Sequence, residues 1–256
     1  MDDVFCQFAE HTQRCEGKGD TSLSFAMSTL RGQNVYAAIV QARLGSERLP
    51  KKVLSPLPDG ETVLSRIIKN LRKCRMIDDI VITTPDNEIA EYAQQLNVCW
   101  SLYNGERDVL AEYYQAAQAF KIDVIVRITA DCPLIVPELV DSVVIQHLCA
   151  NADYTCNRND DDNDMDGDGY DVEVFSLSAL TKAYNEAIEP YDREHVTPYF
   201  RKGKFNILKL PAPKLPGCSV DVYADLETVC NIIRGELQWE RTPQERVRLG
   251  RKVRLM

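Results

Sequence analysis

The sequence lacks the features of several large protein classes. No apolar run approaches the roughly 18 residues that a membrane-spanning helix requires, and residues 1–5 have neither the cationic nor the apolar region of a secretory signal. Positive charge is not in excess either, because 30 Lys and Arg stand against 39 Asp and Glu, a formal net charge of -9. Such a chain offers no basic face for nonspecific nucleic-acid binding. We therefore expect neither a membrane nor a nucleic acid among its partners.

The nine cysteines do not form the pattern of a disulfide framework or a zinc site. Their number is odd, no Cys-x-x-Cys pair occurs, and most of them lie in apolar stretches, where a free thiol behaves as a small hydrophobe. This usage favours a reducing compartment, and we expect a cytoplasmic protein. A Gly-x-x-x-x-Gly-Lys-Ser/Thr pattern is also missing, which excludes a P-loop nucleotide site.

Strand and helix patterns alternate from residue 35 onward. Strands are predicted at 35–40, 79–84, 98–102 and 123–129, and helices at 63–74, 87–96 (with Asp86 as its cap), 108–120 and 137–149. Short, nearly continuous apolar strands joined by helices are typical of a parallel sheet covered on both faces. We predict an α/β fold with a mostly parallel, Rossmann-like sheet. Later patterns are looser, with strands at 172–175, 205–210 and ending at Asp221, and helices at 178–187 and 226–237.

The chain is predicted to contain one domain with two appendages. Residues 1–33 mix Gly, Lys, Thr, Ser and Gln without a sustained period and are predicted to be a flexible N-terminal extension. Residues 34–238 form the domain, and residues 239–256 are a polar C-terminal tail. At 256 residues the chain is long enough for one sizeable core.

A cationic loop follows the first predicted strand. Residues 41–52 read Gln-Ala-Arg-Leu-Gly-Ser-Glu-Arg-Leu-Pro-Lys-Lys and carry Arg43, Arg48, Lys51 and Lys52. Phosphates bind where backbone N–H groups converge beside fixed cations. In open α/β sheets the first loop after a strand is a favoured place for such a site. A merely solvated turn is the alternative.

Acidic residues follow two other predicted strands. Asp131 ends the segment Arg127–Asp131 before a proline, and residues 219–225 read Ser-Val-Asp-Val-Tyr-Ala-Asp. Two carboxylates that face a cationic cradle can hold Mg²⁺ for nucleotidyl transfer. Taken alone, Asp131 or Asp225 is more often a helix cap. Their occurrence together with the basic loop favours the functional interpretation.

Six segments, in order, resemble a known family. They are residues 39–54, 105–117, 127–134, 171–175, 193–199 and 220–226. The sequence resembles the cytidylyltransferases that include CMP-sialic acid and CMP-Kdo synthetases, and most of all the spore-coat-polysaccharide-F-like branch. The resemblance implies an α/β domain of the nucleotide-diphosphosugar-transferase type that uses CTP, an acidic acceptor and Mg²⁺. It also implies a homodimer, with about 170–215 as a dimerisation or acceptor arm.

The resemblance also implies roles for particular residues of this chain. Catalysis is assigned to Arg48, Lys52 and Asp131, and the Mg²⁺ ligands are Asp131 and Asp221. Nucleotide binding is assigned to Ala42, Arg43, Gly45, Ser46, Arg48, Lys52, Gly105, Asp108, Arg127 and Thr129. Binding of the acceptor substrate is assigned to Glu173, Arg193, Glu194 and His195. His195 taken by itself can equally be an ordinary surface histidine.

We expect transfer of CMP from CTP to an acidic sugar or similar acidic acceptor, with release of pyrophosphate, in polysaccharide or glycan precursor biosynthesis. Ala130 stands where the family usually has Gly, Lys51 where a small residue is usual, and Val222-Tyr223 where Thr-Pro is usual. Two alternatives therefore stay open: a phosphonate acceptor, or a catalytically weakened homologue acting as a binding or assembly subunit. Retention of Asp131, Asp221, Arg48 and Lys52 argues against the weakened homologue.

An Asp-rich run matches the calcium-loop spacing of an EF-hand. The matching residues are Asp162, Asp164, Asp166, Gly167 and Glu173. A true EF-hand has a helix on each side, whereas residues 151–159 have no helical period and residues 172–175 are predicted as a strand. A solvated insertion is the favoured interpretation, with calcium binding as the alternative.

Removal of residues 1–26 tests the predicted N-terminal extension. Met27 precedes the first predicted strand, so the shortened chain should retain its unfolding midpoint in urea and its CTP-dependent pyrophosphate release. A lower midpoint or lost turnover would show that these residues belong to the fold or the site.

Overall fold

We analysed a computed structural model of the chain. It describes residues 32–103, 105, 108–158, 168–213, 215 and 217–236. The chain divides into two units, Met1–Asn34 and Val35–Met256, and the fold below is that of the second. The C-terminal tail, most of the N-terminal extension and the run 159–167 lie outside the described residues, so these predictions stay untested. Within the described residues no helix is long and apolar enough to cross a membrane.

Seven strands and eight helices make up the described fold. The strands are β1 (Tyr36–Gln41), β2 (Asp79–Thr84), β3 (Cys99–Leu102), β4 (Val124–Thr129), β5 (Tyr154–Cys156), β6 (Glu173–Ser176) and β7 (Ile207–Lys209). The helices are α1 (Val63–Leu71), α2 (Asn87–Gln95), α3 (Val109–Ala119), α4 (Pro137–Cys149), α5 (Leu177–Glu186), α6 (Pro190–His195), α7 (Pro198–Lys202) and α8 (Tyr223–Ile233). A short 3₁₀ helix, Lys52–Leu54, follows β1.

The strands form one mixed sheet in the order β3-β2-β1-β4-β6-β5-β7. Strands β1 to β4 pair in parallel, and β6 runs antiparallel to both of its neighbours, β4 and β5. The predicted fold class, a mostly parallel α/β sheet, is confirmed. Strand order turns at β1, because β2 lies on one side of it and β4 on the other. Ligand sites of open α/β sheets lie beside the carboxyl ends of the strands at such a switch point.

The central strand β1 is covered on both faces. Ala37 and Ile39 belong to an apolar cluster with side chains of α3 and α5. Ala38 and Val40 point to the opposite face, because side chains alternate along a strand, and they are equally buried at 0% exposure. This two-sided burial explains why the strand reads as a continuous apolar run. It also holds the loop that follows the strand on a rigid support.

Three sequence-based details of the fold need correction. Helix α2 begins after Asp86 as predicted, but the Asp86 side chain makes no cap hydrogen bond and instead accepts the Leu44 N–H at 2.7 Å. The predicted strand ending at Asp221 is wrong, because residues 217–222 are not in a strand. Their backbone meets the rest of the fold at Val220, whose N–H donates to the carbonyl of Asp131. Strand β5 and helices α6 and α7 were not predicted.

A buried ion pair joins β4 to β6. Arg127 and Glu173 occupy paired positions of the two strands, and the Arg127 guanidinium donates to the Glu173 carboxylate. Tyr154 of β5 donates its hydroxyl to the same carboxylate, which is 1% exposed. Burial alone raises the pKa of Glu173, but the Arg127 charge and the hydrogen bonds from Tyr154, Thr197 and Arg127 together outweigh it, and the pKa lies below its ordinary value. The pair thus stays ionised inside the sheet.

Substitution of Glu173 by Ala should destabilise the fold strongly. The change leaves Arg127 buried without its countercharge, and breaking a buried pair in this way costs about 3–5 kcal/mol. Urea unfolding followed by circular dichroism measures the loss of unfolding free energy. The exposed Glu189, substituted in the same way, serves as the control and should change it by less than about 0.5 kcal/mol. Equal effects at the two positions would contradict this account.

Candidate active site

The site lies where the tips of β1, β2 and β4 meet. Gln41, the last residue of β1, pairs with Thr83 of β2 on one side and with Thr129 of β4 on the other. The loop after β1 therefore starts directly beside the segment that leads from Thr129 to Asp131. This register brings the predicted cationic loop next to the predicted acidic segment that ends at Asp131.

Backbone and side-chain contacts fix the loop that follows β1. The N–H of Leu44 donates to Asp86 at 2.7 Å, and the carbonyl of Leu44 accepts the Lys51 N–H at 3.1 Å. Lys51 has a left-handed backbone (φ 58°), and its ammonium is held by Glu88 at 2.7 Å. The ammonium of Lys51 is therefore directed to Glu88 of α2.

Lys52 joins the two predicted metal-binding carboxylates. Its Nζ lies 2.9 Å from Oδ2 of Asp131 and 2.9 Å from Oδ1 of Asp221. The second oxygen of Asp221 accepts from the guanidinium of Arg48 at 3.0 Å. The Lys52 side chain is 13% exposed and that of Arg48 is 65% exposed. Two acids and two cations thus form one cluster, with Lys52 at its centre.

The cluster stays charged in spite of burial. Burial alone raises the pKa of Asp131, but the Lys52 ammonium and hydrogen bonds from Thr129, Lys52 and Cys132 lower it below its ordinary value. Burial likewise lowers the pKa of Lys52, yet the two carboxylates reverse this and the pKa is raised. At neutral pH Asp131 is an anion and Lys52 a cation, as a phosphate and metal site requires.

Helix α8 positions Asp221. Oδ2 of Asp225 accepts the N–H groups of Asp221 and Val222 at 2.9 and 2.8 Å. The Val220 N–H donates to the Asp131 carbonyl at 2.8 Å, so the backbones that carry the two acids are linked directly. Asp225 is thus a capping residue, as the alternative interpretation had it, and it also orients an acid of the site.

A cleft of about 400 Å³ opens over this cluster. Eight predicted site residues line it: Arg43, Gly45, Ser46, Arg48, Lys52, Thr129, Asp131 and Asp221. Gln41, Glu47, Val53 and Ala130 line it as well without having been predicted. Ala130 is the position at which the family usually has Gly. The loop, the tip of β4 and Asp221 therefore share one cavity.

Other predicted residues lie elsewhere. Ala42 is 1% exposed and its N–H donates to the Thr83 carbonyl, so it extends the sheet beneath the cleft. Arg127 and Glu173 form the buried pair described above. Gly105 lies ahead of α3, close enough to the Tyr103 ring that an added Cβ would overlap it. None of these four is among the residues that line the cleft.

The remaining predicted residues lie around α6. Arg193 donates to Asp108, the N-cap of α3, at 2.6 Å, and also to the carbonyls of Tyr184 and Ala187. It thus holds α6 against the start of α3. His195 is exposed and its ring lies 4.4 Å from that of Tyr191. The acceptor-binding assignments of Arg193, Glu194 and His195 stay predictions, located outside the described cleft.

A comparison with protein families shows to which family the chain is related. The profile of the cytidylyltransferases matches residues 37–229. The chain belongs to the cytidylyltransferase family. The match contains every predicted site residue, and the resemblance that the motifs indicated is confirmed.

Three individual proteins are similar to this chain in sequence. The chain is 40% identical over 183 residues to uncharacterized protein MJ1063 of Methanocaldococcus jannaschii, over 69% of this chain and 72% of that protein. It is 30% identical over 177 residues to the spore coat polysaccharide biosynthesis protein SpsF of Bacillus subtilis, 63% of this chain and 71% of that one. A 3-deoxy-manno-octulosonate cytidylyltransferase of Chloroherpeton thalassium shares 29% over 123 residues, 46% and 48% of the two chains.

A solved cytidylyltransferase has the same fold. The structure from Leptospira borgpetersenii superimposes with a TM-score of 0.72 and 28% identity, over 86% of this chain and 94% of that chain. The α/β architecture is therefore that of a known structural group.

The acidic residues of this cytidylyltransferase fit a magnesium ion. Asp131 and Asp221 both lie 2.9 Å from one cationic atom, Nζ of Lys52, so their oxygens converge on a common point. Mg²⁺ prefers such hard oxygen ligands and is usually held by one or two carboxylates together with substrate phosphates. Among the described residues no group of three or more His, Cys, Asp or Glu could hold a metal. The residues present thus suit a metal that arrives with a nucleotide.

Sequence reasoning missed the residues that support the site. Gln41 was counted only as the first residue of the cationic loop, and Asp86 only as a cap. Glu112 of α3 is 4% exposed, accepts a hydrogen bond from Gln41 and faces Arg43. An acid in an otherwise apolar helical stretch was the signal that could have identified it.

Substitution of Asp225 by Ala should release the Asp221 backbone. Two N–H groups lose their acceptor, which should accelerate their amide exchange at least about tenfold and cost roughly 1 kcal/mol of unfolding free energy, as for a lost helix cap. Hydrogen exchange of the peptide that contains residues 221 and 222 measures the first effect, and urea unfolding the second. Glu227→Ala, exposed on the same helix, is the control. Unchanged exchange at Asp221 would refute the positioning role.

Proposed function

We propose that this protein is a Mg²⁺-dependent cytidylyltransferase that transfers CMP from CTP to an acidic sugar and releases pyrophosphate. The observation that carries the proposal is the cluster in which the Lys52 ammonium bridges Asp131 and Asp221, with Arg48 beside it. It lies in a cleft at the switch point of the sheet, where nucleotides bind in open α/β folds. The proposed setting is precursor biosynthesis for a polysaccharide or glycan in the cytoplasm.

The relatives support the choice of reaction and substrate class. The family description supports nucleotidyl transfer from CTP. The name of the Bacillus subtilis relative supports polysaccharide biosynthesis, and that of the Chloroherpeton thalassium relative supports an acidic sugar as acceptor. No described residue contradicts a phosphonate acceptor, but none favours it either, so the sugar is the acceptor proposed here.

The cations of the loop are proposed to bind the triphosphate. Arg43, Arg48 and Lys52 line one side of the cleft, and the loop that bears them is fixed through Leu44 and Asp86. An acceptor hydroxyl oxygen attacks the α-phosphorus in line, a new P–O bond forms, and the bond from that phosphorus to the bridging oxygen of pyrophosphate breaks. The hydroxyl proton passes to water. Arg48 and Lys52 meet the charge that develops on the pyrophosphate.

Asp131 and Asp221 are proposed to hold the metal. Mg²⁺ bound there would neutralise phosphate charge and help to orient the triphosphate. Lys52 lowers the pKa of Asp131, and its hydrogen bonds to both carboxylates hold them close together. The two acids are thereby preorganised, and reorganisation during the reaction is small.

A homodimer is also proposed. Ile188 and Tyr191 lie within 170–215 and are 83% and 61% exposed, which supports a contact of this segment with a second copy.

A substrate panel tests the function. Pyrophosphate release is measured with each of the four nucleoside triphosphates, with and without Mg²⁺, against an acidic sugar, a neutral sugar and a phosphonate. We expect turnover that requires CTP, Mg²⁺ and the acidic sugar together. Turnover with another nucleotide, or with the phosphonate alone, would overturn the corresponding part of the proposal.

Asp131→Asn should reduce the turnover number at least about a thousandfold, because the substitution removes one of two metal-binding charges. Glu91→Gln, an exposed acid of α2, is the matched control and should retain full activity. Turnover retained in the Asp131 variant, with its folding verified by circular dichroism, would refute the metal-ligand assignment.

A further inference from the structure

Glu112 is a buried acid behind the cationic loop that the proposed mechanism does not use. It lies in the first turn of α3 and is 4% exposed. Its Oε2 is one of the few buried side-chain atoms in the described part of the chain that have no hydrogen-bond partner. A buried carboxylate oxygen without a hydrogen-bond partner destabilises a fold. Such a group is therefore a candidate for a functional role.

The neighbours of Glu112 connect it to the cleft. Gln41 donates a hydrogen bond to its carboxyl group, and Arg43 is the cation that acts on it. Gln41 and Arg43 both line the cleft. Asp86, which faces Glu112 as well, accepts the Leu44 N–H. Glu112 and Asp86 thus contact Gln41, Arg43 and Leu44 at the start of the loop, and neither acid is among the residues that line the cleft.

Charged and titratable groups face Glu112 from each element around it. The loop after β1 contributes Arg43, the loop before α2 contributes Asp86, and the start of α3 contributes Asp108. The hydroxyls of Tyr103, after β3, and Tyr113, on α3, also lie within its influence. These described groups include one cation, Arg43, and two carboxylates, Asp86 and Asp108.

Charge on Glu112 is therefore poorly compensated. Burial, which Arg43 and the hydrogen bond from Gln41 only partly offset, raises the pKa of Glu112 to about 7. A carboxyl group with this pKa exchanges its proton near neutral pH, whereas Glu173, paired with Arg127, stays ionised. The two buried glutamates differ in whether a guanidinium is committed to them.

We propose that Glu112 is a positioning residue that orients Gln41 and Arg43 and takes up a proton when the CTP polyanion binds beside them. The inference rests on the proposed function, since it takes CTP as the ligand. An ionised Glu112 attracts Arg43 and cancels part of its charge, whereas a neutral Glu112 leaves that charge to the phosphates. A polyanion near Arg43 in turn disfavours a second negative charge behind it. Binding and protonation are thus thermodynamically linked.

The linkage has a definite direction. Since the bound state holds more protons than the free state, CTP affinity should fall as pH rises through about 7. Calorimetric titration with CTP, without acceptor, from pH 6 to pH 8 measures this dependence in the wild type and in Glu112→Gln, the neutral isostere. The ionisation of the CTP phosphates contributes equally to both proteins and cancels in their ratio. We expect the wild type to lose about fivefold more affinity than Glu112→Gln over this range.

Two further variants control the experiment. Glu112→Asp keeps a titratable carboxyl and should keep a pH dependence, which a purely structural effect of the substitution would not explain. Glu138→Gln removes an exposed acid at the corresponding first turn of α4 and should behave as the wild type. Titrations in two buffers of different ionisation enthalpy should show more proton uptake by the wild type than by Glu112→Gln.

The outcomes separate this inference from the proposed function. CTP binding with the same pH dependence in the wild type and in folded Glu112→Gln would overturn the role of Glu112 and leave the function standing. Absence of CTP binding in the wild type at any pH would overturn both. If Glu112→Gln does not fold, the carboxyl ¹³C resonance of Glu112 in the wild type decides. Its titration midpoint should rise when CTP is added, and an unchanged midpoint would refute the proposal.

Discussion

The bridge that Lys52 makes between Asp131 and Asp221 is the interaction on which the site depends. It joins residues that are 79 and 169 positions apart in the chain. Each of the three comes from a different segment: the loop after β1, the turn after β4 and the residues before α8. An ammonium with two carboxylates can hold three segments only if every backbone is fixed independently. The pairing of β1 with β4 fixes the first two backbones. The backbone of Asp221 is fixed by its hydrogen bond to Asp225 and by that of Val220 to Asp131. Geometry is thus set before any ligand binds, as electrostatic preorganisation requires.

Four of the described cations fall into two groups according to where their carboxylate partners lie. Arg127 and Arg193 each have a carboxylate and further contacts within the fold, and they connect elements of the structure. Lys52 and Arg48 also have carboxylates, but theirs line the cleft. The same residue types therefore connect elements of the fold in one place and line the cleft in another. The two groups of cations differ in whether their ion pairs line the cleft at the switch point of the sheet.

The sequence predicted the regular elements of the fold but not which charged residues would pair with each other. Strands β1 to β4 and helices α1 to α4 follow from long apolar runs with a clear period, and the loop at residues 41–52 follows from its charge. Strand β5 has only three residues, which is too short for a period to show. Asp221 was expected on a strand, yet hydrogen bonds from Cys218 to Asp168, from Val220 to Asp131 and from Asp221 to Asp225 hold that segment outside the sheet. The pairing of Arg127 with Glu173 depends on an antiparallel register that no local pattern contains.

The two buried glutamates show how the same physics yields opposite results. Glu173 and Glu112 lose comparable hydration, at 1% and 4% exposure. A guanidinium beside Glu173 makes its ionised form the stable one, and the cost of burial is offset inside the sheet. Glu112 has only a share of Arg43, a residue that also faces the cleft. An apolar side chain at position 112 would cost less folding stability than this buried acid. A buried acid that shares its cation with the cleft is what the proposed proton-linked binding of CTP requires.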